Sequence, residues 1–407
     1  MNIFDILKER GFIDQVTYED ELKELLEKER VPFYIGFDAT ADSLTLGHFL
    51  QIRAMQHMQK AGHIPIALLG GGTTLIGDPS GKQDMRKLLT KEIIDNNASK
   101  FQNQLSHFLN FEDEKGIFDN NANWLTKLNF LDFMREIGVH FSVNRMLTFE
   151  CYKNRMDKGL TFFEFGYMLM QSYDFLVLYR KYGCKLQCGG SDQWSNMLGG
   201  YELVRKLEDD KVYLMTFKLL TTASGVKMGK TEKGAIWLDK EKTTPYEMYQ
   251  YLRNTDDRDV INFLKLLTML PLDEIKKYEN LEGAELNIAK DVLAYEIVKD
   301  VHGEEEAKKA KDASKALFSG NGSLENIPST DFSSDDFKDG KGLLDLLTLL
   351  GLTKTNSEAR RLISQGGIKI DDNKIDDPNL KITLDMFNDN KLLIKKGKKI
   401  YHQVHIK

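Results

Sequence analysis

In "FYIGFDATADSLTLGHFLQIRAM", residues 33–55, an apolar run breaks into small and acidic residues, and an amphipathic pattern restarts behind Thr45-Leu46-Gly47-His48. On a strand, Tyr34, Gly36 and Asp38 alternate onto one face, so a phenol and a carboxylate flank a missing side chain. Gly47 and His48 fall in the first turn of the following helix, where free N–H groups and the positive dipole end favour phosphate. The competing reading is a glycine-tolerant turn with a capping histidine. A second stretch, "SGVKMGKTEKGAIWL" (224–238), sets Lys227 and Lys230 around Met228-Gly229, with Thr231 behind. Too glycine-rich for a helix, it reads as a mobile basic loop that neutralises charge on a leaving phosphate, or as a plain surface turn. The third is a helical row, Tyr167, Gln171 and Asp174 at i, i+4 and i+7 in "GYMLMQSYD", polar among apolar neighbours.

Commoner templates fail. "GDPSGK" (77–82) has three residues between its glycines where a P-loop has four, and Gln83 follows Lys82 where Ser or Thr belongs. "GGGTTLIG" (70–77) has Leu75 at the last glycine of G-x-G-x-x-G. Cys184 and Cys188 have no second Cys or His pair nearby, so they read as buried thiols and not as a zinc site.

The elements that must position these residues alternate. Residues 33–37, 64–70 and 184–190 read as strands, each ending in glycine or acid; 46–61, 92–109, 124–137 and 161–181 read as helices. That alternation argues an α/β fold with a parallel sheet, whose ligands bind beyond the C-terminal strand ends. From 245 to 318 the pattern is helical throughout. Residues 319–340, rich in Gly, Ser and Asp, read as a linker, and 341–407 as a small α+β module.

At 407 residues the chain suggests two or three domains. No apolar run reaches the roughly 18 residues of a membrane span. The charged N-terminus shows no secretory signal, and three cysteines fit a reducing cytoplasm. The net charge of −6 is uneven: residues 391–407 hold six lysines and no acid, leaving −12 on the 390 residues before them. On charge alone that basic tail is either a solvated end or an RNA contact.

"TLGH" and "KMGKT" together resemble the HIGH and KMSKS signatures of class I aminoacyl-tRNA synthetases. The segments "GFDATADSL", "GGGTTLIGDPSGK", "HFSVN", "GGSDQW", "GKTEKGAIWLDKEKTTPYEMYQY", "NTDDRDVI", "VHGEEEA" and "ALFSG" narrow the resemblance to the bacterial tyrosyl-tRNA synthetases, from residue 3 to the C-terminus. It implies a Rossmann-like catalytic domain over 1–220 with a dimer-interface insertion near 120–160. After it come a KMSKS-type loop and connection (221–244), an α-helical anticodon-recognition domain (245–318) and, past the linker, an S-four-type RNA-binding domain (341–407).

By resemblance, Tyr34 and Asp174 hold the substrate phenol, Asp78, Tyr167 and Gln171 the amino group, and Gln193 lies near the carboxylate. Gly36, Asp38, Gly47, His48, Gly190 and Asp192 match ATP-site positions. Thr40, Lys82, Arg86, Lys227, Lys230 and Thr231 match residues near the triphosphate. For tRNA the expected contacts are Arg360, Arg361, Lys395 and Lys396. The implied activity joins L-tyrosine to tRNA(Tyr) through an adenylate, with ATP and Mg²⁺, no protein-ligated metal, a homodimer and no membrane partner. One position departs: Thr45 stands where the family usually has the first histidine of HIGH, near the γ-phosphate. Within the fold the alternative is a tryptophanyl-tRNA synthetase; outside enzymes it is an RNA-binding regulator that kept the fold.

Overall fold

The computed structural model describes residues 2–78, 89–157, 159–223, 225, 227–231, 234–319, 328–371, 373–397 and 400–407. They form two compact units, one of Met1–Thr243 with Leu252–Val301, the other of Thr244–Tyr251 with His302–Lys407. The helical stretch 245–318 is thus divided between them.

The first unit is built on six strands: β1 (Ile13–Val16), β2 (Pro32–Phe37), β3 (Ile64–Leu69), β4 (Ile117–Asn120), β5 (Leu186–Gly190) and β6 (Tyr213–Phe217). Their order across the sheet is β1-β6-β5-β2-β3-β4. β2 to β6 run parallel and β1 pairs antiparallel with β6. Nearly every residue of β3, β5 and β6 is buried, as near-continuous apolar strands of a parallel sheet should be. The chain steps outward from β2 through β3 to β4, then resumes on the other side of β2 with β5 and β6. Strand order therefore reverses between β2 and β5, which opens a crevice at their C-terminal ends.

Four helices serve that crevice: α1 (Leu46–Lys60), α2 (Lys91–Phe108), α3 (Tyr167–Tyr182) and α4 (Trp194–Glu208). α3 and α4 approach closely because Gly199 has no side chain; a methyl there would sit 2.5 Å from Ser172 Oγ and 3.1 Å from Met168 Cγ. Arg53 of α1, almost wholly buried, donates Nε–H to the Leu267 carbonyl (2.8 Å) and pairs with Asp300. Arg10 donates to the carbonyls of Lys265 (2.8 Å) and Thr268 (3.1 Å). These two guanidiniums satisfy the carbonyls left at the end of the helix Val260–Leu267 and tie it to the sheet layer.

Differences from the expected elements have local causes. The helix expected over 124–137 is two, Ala122–Leu125 and Phe130–Glu136, because the Asn129 side chain caps the second by accepting from the N–H groups of Leu131 and Asp132. The one expected over 161–181 splits at Gly166 into Phe162–Phe165 and α3. The stretch read as a mobile loop carries a backbone ladder, Lys230–Thr231 against Gly234–Ala235. Of the expected linker, 320–327 lie outside the described residues, whereas Ser329–Phe332 form a strand parallel to Ile400–Ile406.

In the second unit, residues 329–407 close around a core of their own. Phe337, Leu343, Leu346 and Leu347 pack with Ile363, Ile368, Ile394 and Val404. The run "LLDLLTLLGL" supplies much of it, as a tail without a core would not.

Gly199→Ala should destabilise the first unit by about 1–3 kcal/mol, the usual cost of overpacking a tight helix contact. Urea unfolding followed by tryptophan fluorescence reads it, since all three tryptophans lie in this unit. Adding Ser172→Ala, which removes the nearest clashing atom, should recover part of the loss.

Candidate active site

A cavity of about 330 Å³ lies at the crevice between β2 and β5, and three of the sequence's signals meet in its walls. Tyr34, Gly36 and Asp38 come from β2 and its end, and Thr40 and His48 from the entry to α1. Asp78, Tyr167, Gln171, Asp174, Gly189, Asp192, Gln193 and Lys227 complete the walls. Gly36 is exposed within an otherwise buried strand, and a Cβ built on it meets nothing within 4 Å, because it borders the cavity.

Two clusters divide the floor. At one end the Asp174 carboxylate is buried and accepts from Trp124 Nε1 (2.7 Å) and Asn121 Nδ2 (2.9 Å). Burial pushes its pKa up to about 8, against the pull of those two donors, with Asp38 and Asp119 adding to the rise. The Tyr34 ring lies 5.4 Å from that of Phe175, and its hydroxyl is buried with no hydrogen-bond partner. Burial, then the Asp174 charge, holds that phenol well above its ordinary pKa, so it stays a neutral donor. Gln171 Oε1 and Gln187 Oε1 are also buried and unpartnered.

Nearer the strand ends, Asp38 accepts from Thr73 Oγ1 (2.8 Å) and Tyr167 OH (3.0 Å). Its carboxylate fills the space a side chain at residue 70 would need, which is why Gly70 ends β3. Asp78 accepts from Gln193 Nε2 (2.7 Å) and Asn196 Nδ2 (3.3 Å). Both carboxylates line the cavity.

The other end is more exposed and carries the lysine of the lining. Lys227 Nζ, exposed, stands 3.9 Å from Oδ2 of the half-buried Asp192, a weak pair. Its segment is pinned to the entry of α1: Ile236 N–H donates to the Gly229 carbonyl (2.7 Å), and Leu46 N–H to the Ile236 carbonyl (2.9 Å). Gly229, at φ +82°, lies against Leu46, so neither a side chain nor an ordinary backbone conformation fits there. Gly47 sits exposed in the first turn of α1, and Gly190 ends β5. Lys82 and Arg86 lie outside the described residues, as do the side chains of Lys230 and Thr231.

Residues the motif reading missed are mostly those that hold others. Asn121 and Trp124 fix Asp174, Thr73 joins Asp38 to Asn121 (Asn121 Nδ2 donates to Thr73 Oγ1, 3.0 Å), and Asn196 braces Asp78 and Gln193. Gln187 sits beside Tyr34 in strand register, and Gln51 joins the wall one turn into α1. Only Gln51, three residues behind His48 on the same helix, had a local signal.

In the second unit Arg360 and Arg361 are exposed on the helix Asn356–Ser364. Lys396, by contrast, is half-buried, donating to the Leu352 carbonyl (2.7 Å) with Glu358 at 3.5 Å, so its charge is already engaged. Lys395 instead extends a row across the sheet: Lys374 pairs with Lys369, Lys369 with Lys395, and Lys395 with Tyr401, whose ring lies 4.8 Å from its ammonium. Periodicity along one strand cannot show a row that runs across three.

Residues 26–319 match the model of the family described as tRNA synthetases class I (W and Y), and 321–404 the tyrosine--tRNA ligase SYY-like C-terminal domain. A tyrosine--tRNA ligase of Lachnoclostridium phytofermentans is 62% identical over 402 residues, 98% of each chain. One of Clostridium tetani is 56% identical over 405 residues, covering 100% of this chain and 99% of that one. Among solved structures, a C-terminally truncated mitochondrial tyrosyl-tRNA synthetase of Aspergillus nidulans superposes with a TM-score of 0.70 at 31% identity, over 78% of this chain and 94% of the other. With likeness of this extent joined to the cavity's geometry, the chain belongs to the class I tRNA synthetases (W and Y) and, among them, to the tyrosine--tRNA ligases.

Proposed function

We propose that this protein activates L-tyrosine with ATP and transfers it to tRNA(Tyr). The observation that carries the choice of amino acid is the closed end of the cavity. There a buried carboxylate, Asp174, and a neutral, unpartnered phenol, Tyr34, are left to read a substrate hydroxyl. To Asp78, Tyr167 and Gln171 we assign the α-ammonium, to Gln193 the carboxylate end of the substrate, and to Asp38, which accepts from Tyr167 OH, the ATP side. The carboxylate then attacks the ATP α-phosphate in line, and pyrophosphate leaves toward Lys227 and Lys230. Catalysis rests on positioning and on charge neutralisation at the leaving group, without a covalent enzyme intermediate. Mg²⁺ would be carried on the triphosphate and would add to that neutralisation.

The domain roles follow: residues 1–220 for adenylate chemistry, 221–244 for the leaving group, 245–318 for the anticodon and 341–407 for the tRNA body. We further assign a cytoplasmic homodimer. Eight of the thirteen large exposed apolar side chains among the described residues fall between Phe130 and Phe163, including Phe130, Leu131, Val139 and Phe162. Such a concentration on one stretch fits an interface better than a solvated face. No helix among the described residues is long and apolar enough to cross a membrane.

Pyrophosphate exchange should respond to tyrosine and not to tryptophan or phenylalanine; exchange with tryptophan, or with none, would overturn the assignment. A phenol O–H donates best to an ionised Asp174. Protonation below about pH 8 therefore competes with binding. Tyrosine affinity should rise with pH toward 8, by up to about tenfold per unit, and Asp174→Asn should flatten the profile as well as weaken binding. Equilibrium dialysis between pH 6 and 8 measures this.

A chain ending near residue 320 should keep tyrosine-dependent exchange and lose tRNA charging. In the full chain, neutralising Arg360 and Arg361 should weaken tRNA binding and lower its salt slope by about one unit for each phosphate no longer neutralised. The row Lys369–Lys395 should behave alike, and Lys396 should matter less for the salt slope than for the fold of the module.

A further inference from the structure

Thr45, at the position where the family resemblance expects a γ-phosphate contact, is not among the walls of the cavity. Its hydroxyl lies 3.0 Å from His48 Nδ1, and its backbone N–H donates to that same nitrogen at 3.0 Å. A backbone amide can only donate, so Nδ1 carries no proton, and the hydroxyl beside it must donate too. Burial lowers the ring's pKa to about 4, which leaves it neutral with its single proton on Nε2. The ring is held between Phe37 and Phe101, at centroid distances of 6.5 and 6.0 Å. The Nε2–H edge is then the polar group His48 has to offer the cavity it lines. Residue 45 is itself anchored, bridged to Trp237 behind the Lys227–Lys230 segment.

We propose that Thr45 is a positioning residue: its hydroxyl and backbone N–H together fix His48 in the Nε2–H tautomer, aimed at the nucleotide end of the cavity, and the hydroxyl makes no phosphate contact of its own. The kinetic half of this inference rests on the ATP-dependent activity proposed above; the tautomer does not. A threonine can stand in the first position of the motif because the contact it makes is with the second histidine. Activation then loses whatever a histidine at residue 45 would have given directly, and gains a fixed donor at residue 48.

The test has two arms on the full-length protein. In the first, ¹⁵N-histidine labelling with two-bond ¹H–¹⁵N correlation reads the His48 tautomer, His48→Gln identifying its signals. The parent should show Nε2–H at His48. Thr45→Ala and the near-isosteric Thr45→Val should keep the Nε2–H tautomer, which the backbone N–H of residue 45 still requires, but shift the Nδ1 resonance as one of its two donors is lost, and Thr45→Ser should restore the parent shifts. In the second, a double-mutant cycle follows tyrosine-dependent pyrophosphate exchange. Thr45→Ala should lower kcat about three- to tenfold, the scale of one neutral hydrogen bond, with KM for ATP changed less than about twofold. In the His48→Gln background the same substitution should cost less than about twofold, because its effect passes through the ring. Full additive loss in both backgrounds would mean a direct phosphate contact and overturn the proposal. So would an Nδ1–H tautomer in the parent, or ring signals indifferent to Thr45→Ala. A protein that gives no exchange with tyrosine refutes the assigned activity instead, and the first arm still decides the tautomer.

Discussion

The constraint around which this site is arranged is a buried carboxylate, Asp174, that meets no cation among the described residues. Asp174 faces two neutral N–H donors, from Asn121 and Trp124, and two further carboxylates, Asp38 and Asp119, add to the cost of its charge. Neutral donors fix the oxygens in place without neutralising them, so the group keeps an appetite for one more donor. Its supports are supported in turn. Gly72 N–H donates to Asn121 Oδ1 (2.7 Å), Asn121 to Thr73, and Thr73 to Asp38. Asp119, at the end of β4, accepts from Asn123 (2.9 Å), Lys181 (2.7 Å) and Tyr182 (2.8 Å), tying the Trp124 turn to the far end of the helix that bears Asp174. The loop after β3, the turn after β4 and α3 are thus locked to one another through polar side chains, and loosening any of them would let the carboxylate drift.

Legibility in the sequence followed the range of the interactions. The entry to α1 could be read because Thr45, Gly47 and His48 act within one turn, and the row Tyr167, Gln171, Asp174 because a helix brings i, i+4 and i+7 together. Asn121, Trp124 and Asn196 escaped notice because they reach their partners across 50 to 118 positions, and no local pattern records such a contact. Short strands escaped for a similar reason. β1 and β4 have four residues each, too few for a period, and take their state from β6 and β3. The lysine row of the second unit depends on register across three strands, which the sequence encodes only through the whole module's packing.

Charge is divided along the cavity in a way that suits two unlike ligands. At the closed end Tyr34 and Asp174 are neutral or acidic and buried, and a hydrogen bond there would discriminate strongly because water is no alternative partner. At the open end Lys227 is exposed and only loosely paired with the half-buried Asp192, so a triphosphate could take the lysine at little cost. The same loose pairing would be useless for telling one side chain from another, and the same tight burial would be too slow and costly a place to bring four negative charges.

Discrimination at the closed end is then a matter of what is left unpaired. Tyr34 OH, Gln171 Oε1 and Gln187 Oε1 are buried polar atoms without partners, and Asp174 has room for another donor. A ligand carrying a phenol in reach of Asp174 and Tyr34 supplies a donor and an acceptor at once, and the desolvation already spent on those groups is recovered. A ligand with the same ring and no hydroxyl fills the space but leaves the groups unpaired, and each unpaired buried group costs about 1–3 kcal/mol, more when it is charged. Tyrosyl-tRNA synthetases are themselves the established example of such selection, with a known factor of about 10⁵ against phenylalanine. Selectivity of this kind needs polar groups held in place by the fold, which is why so many residues around the cavity, Asn121, Trp124 and Thr73 among them, serve to hold others.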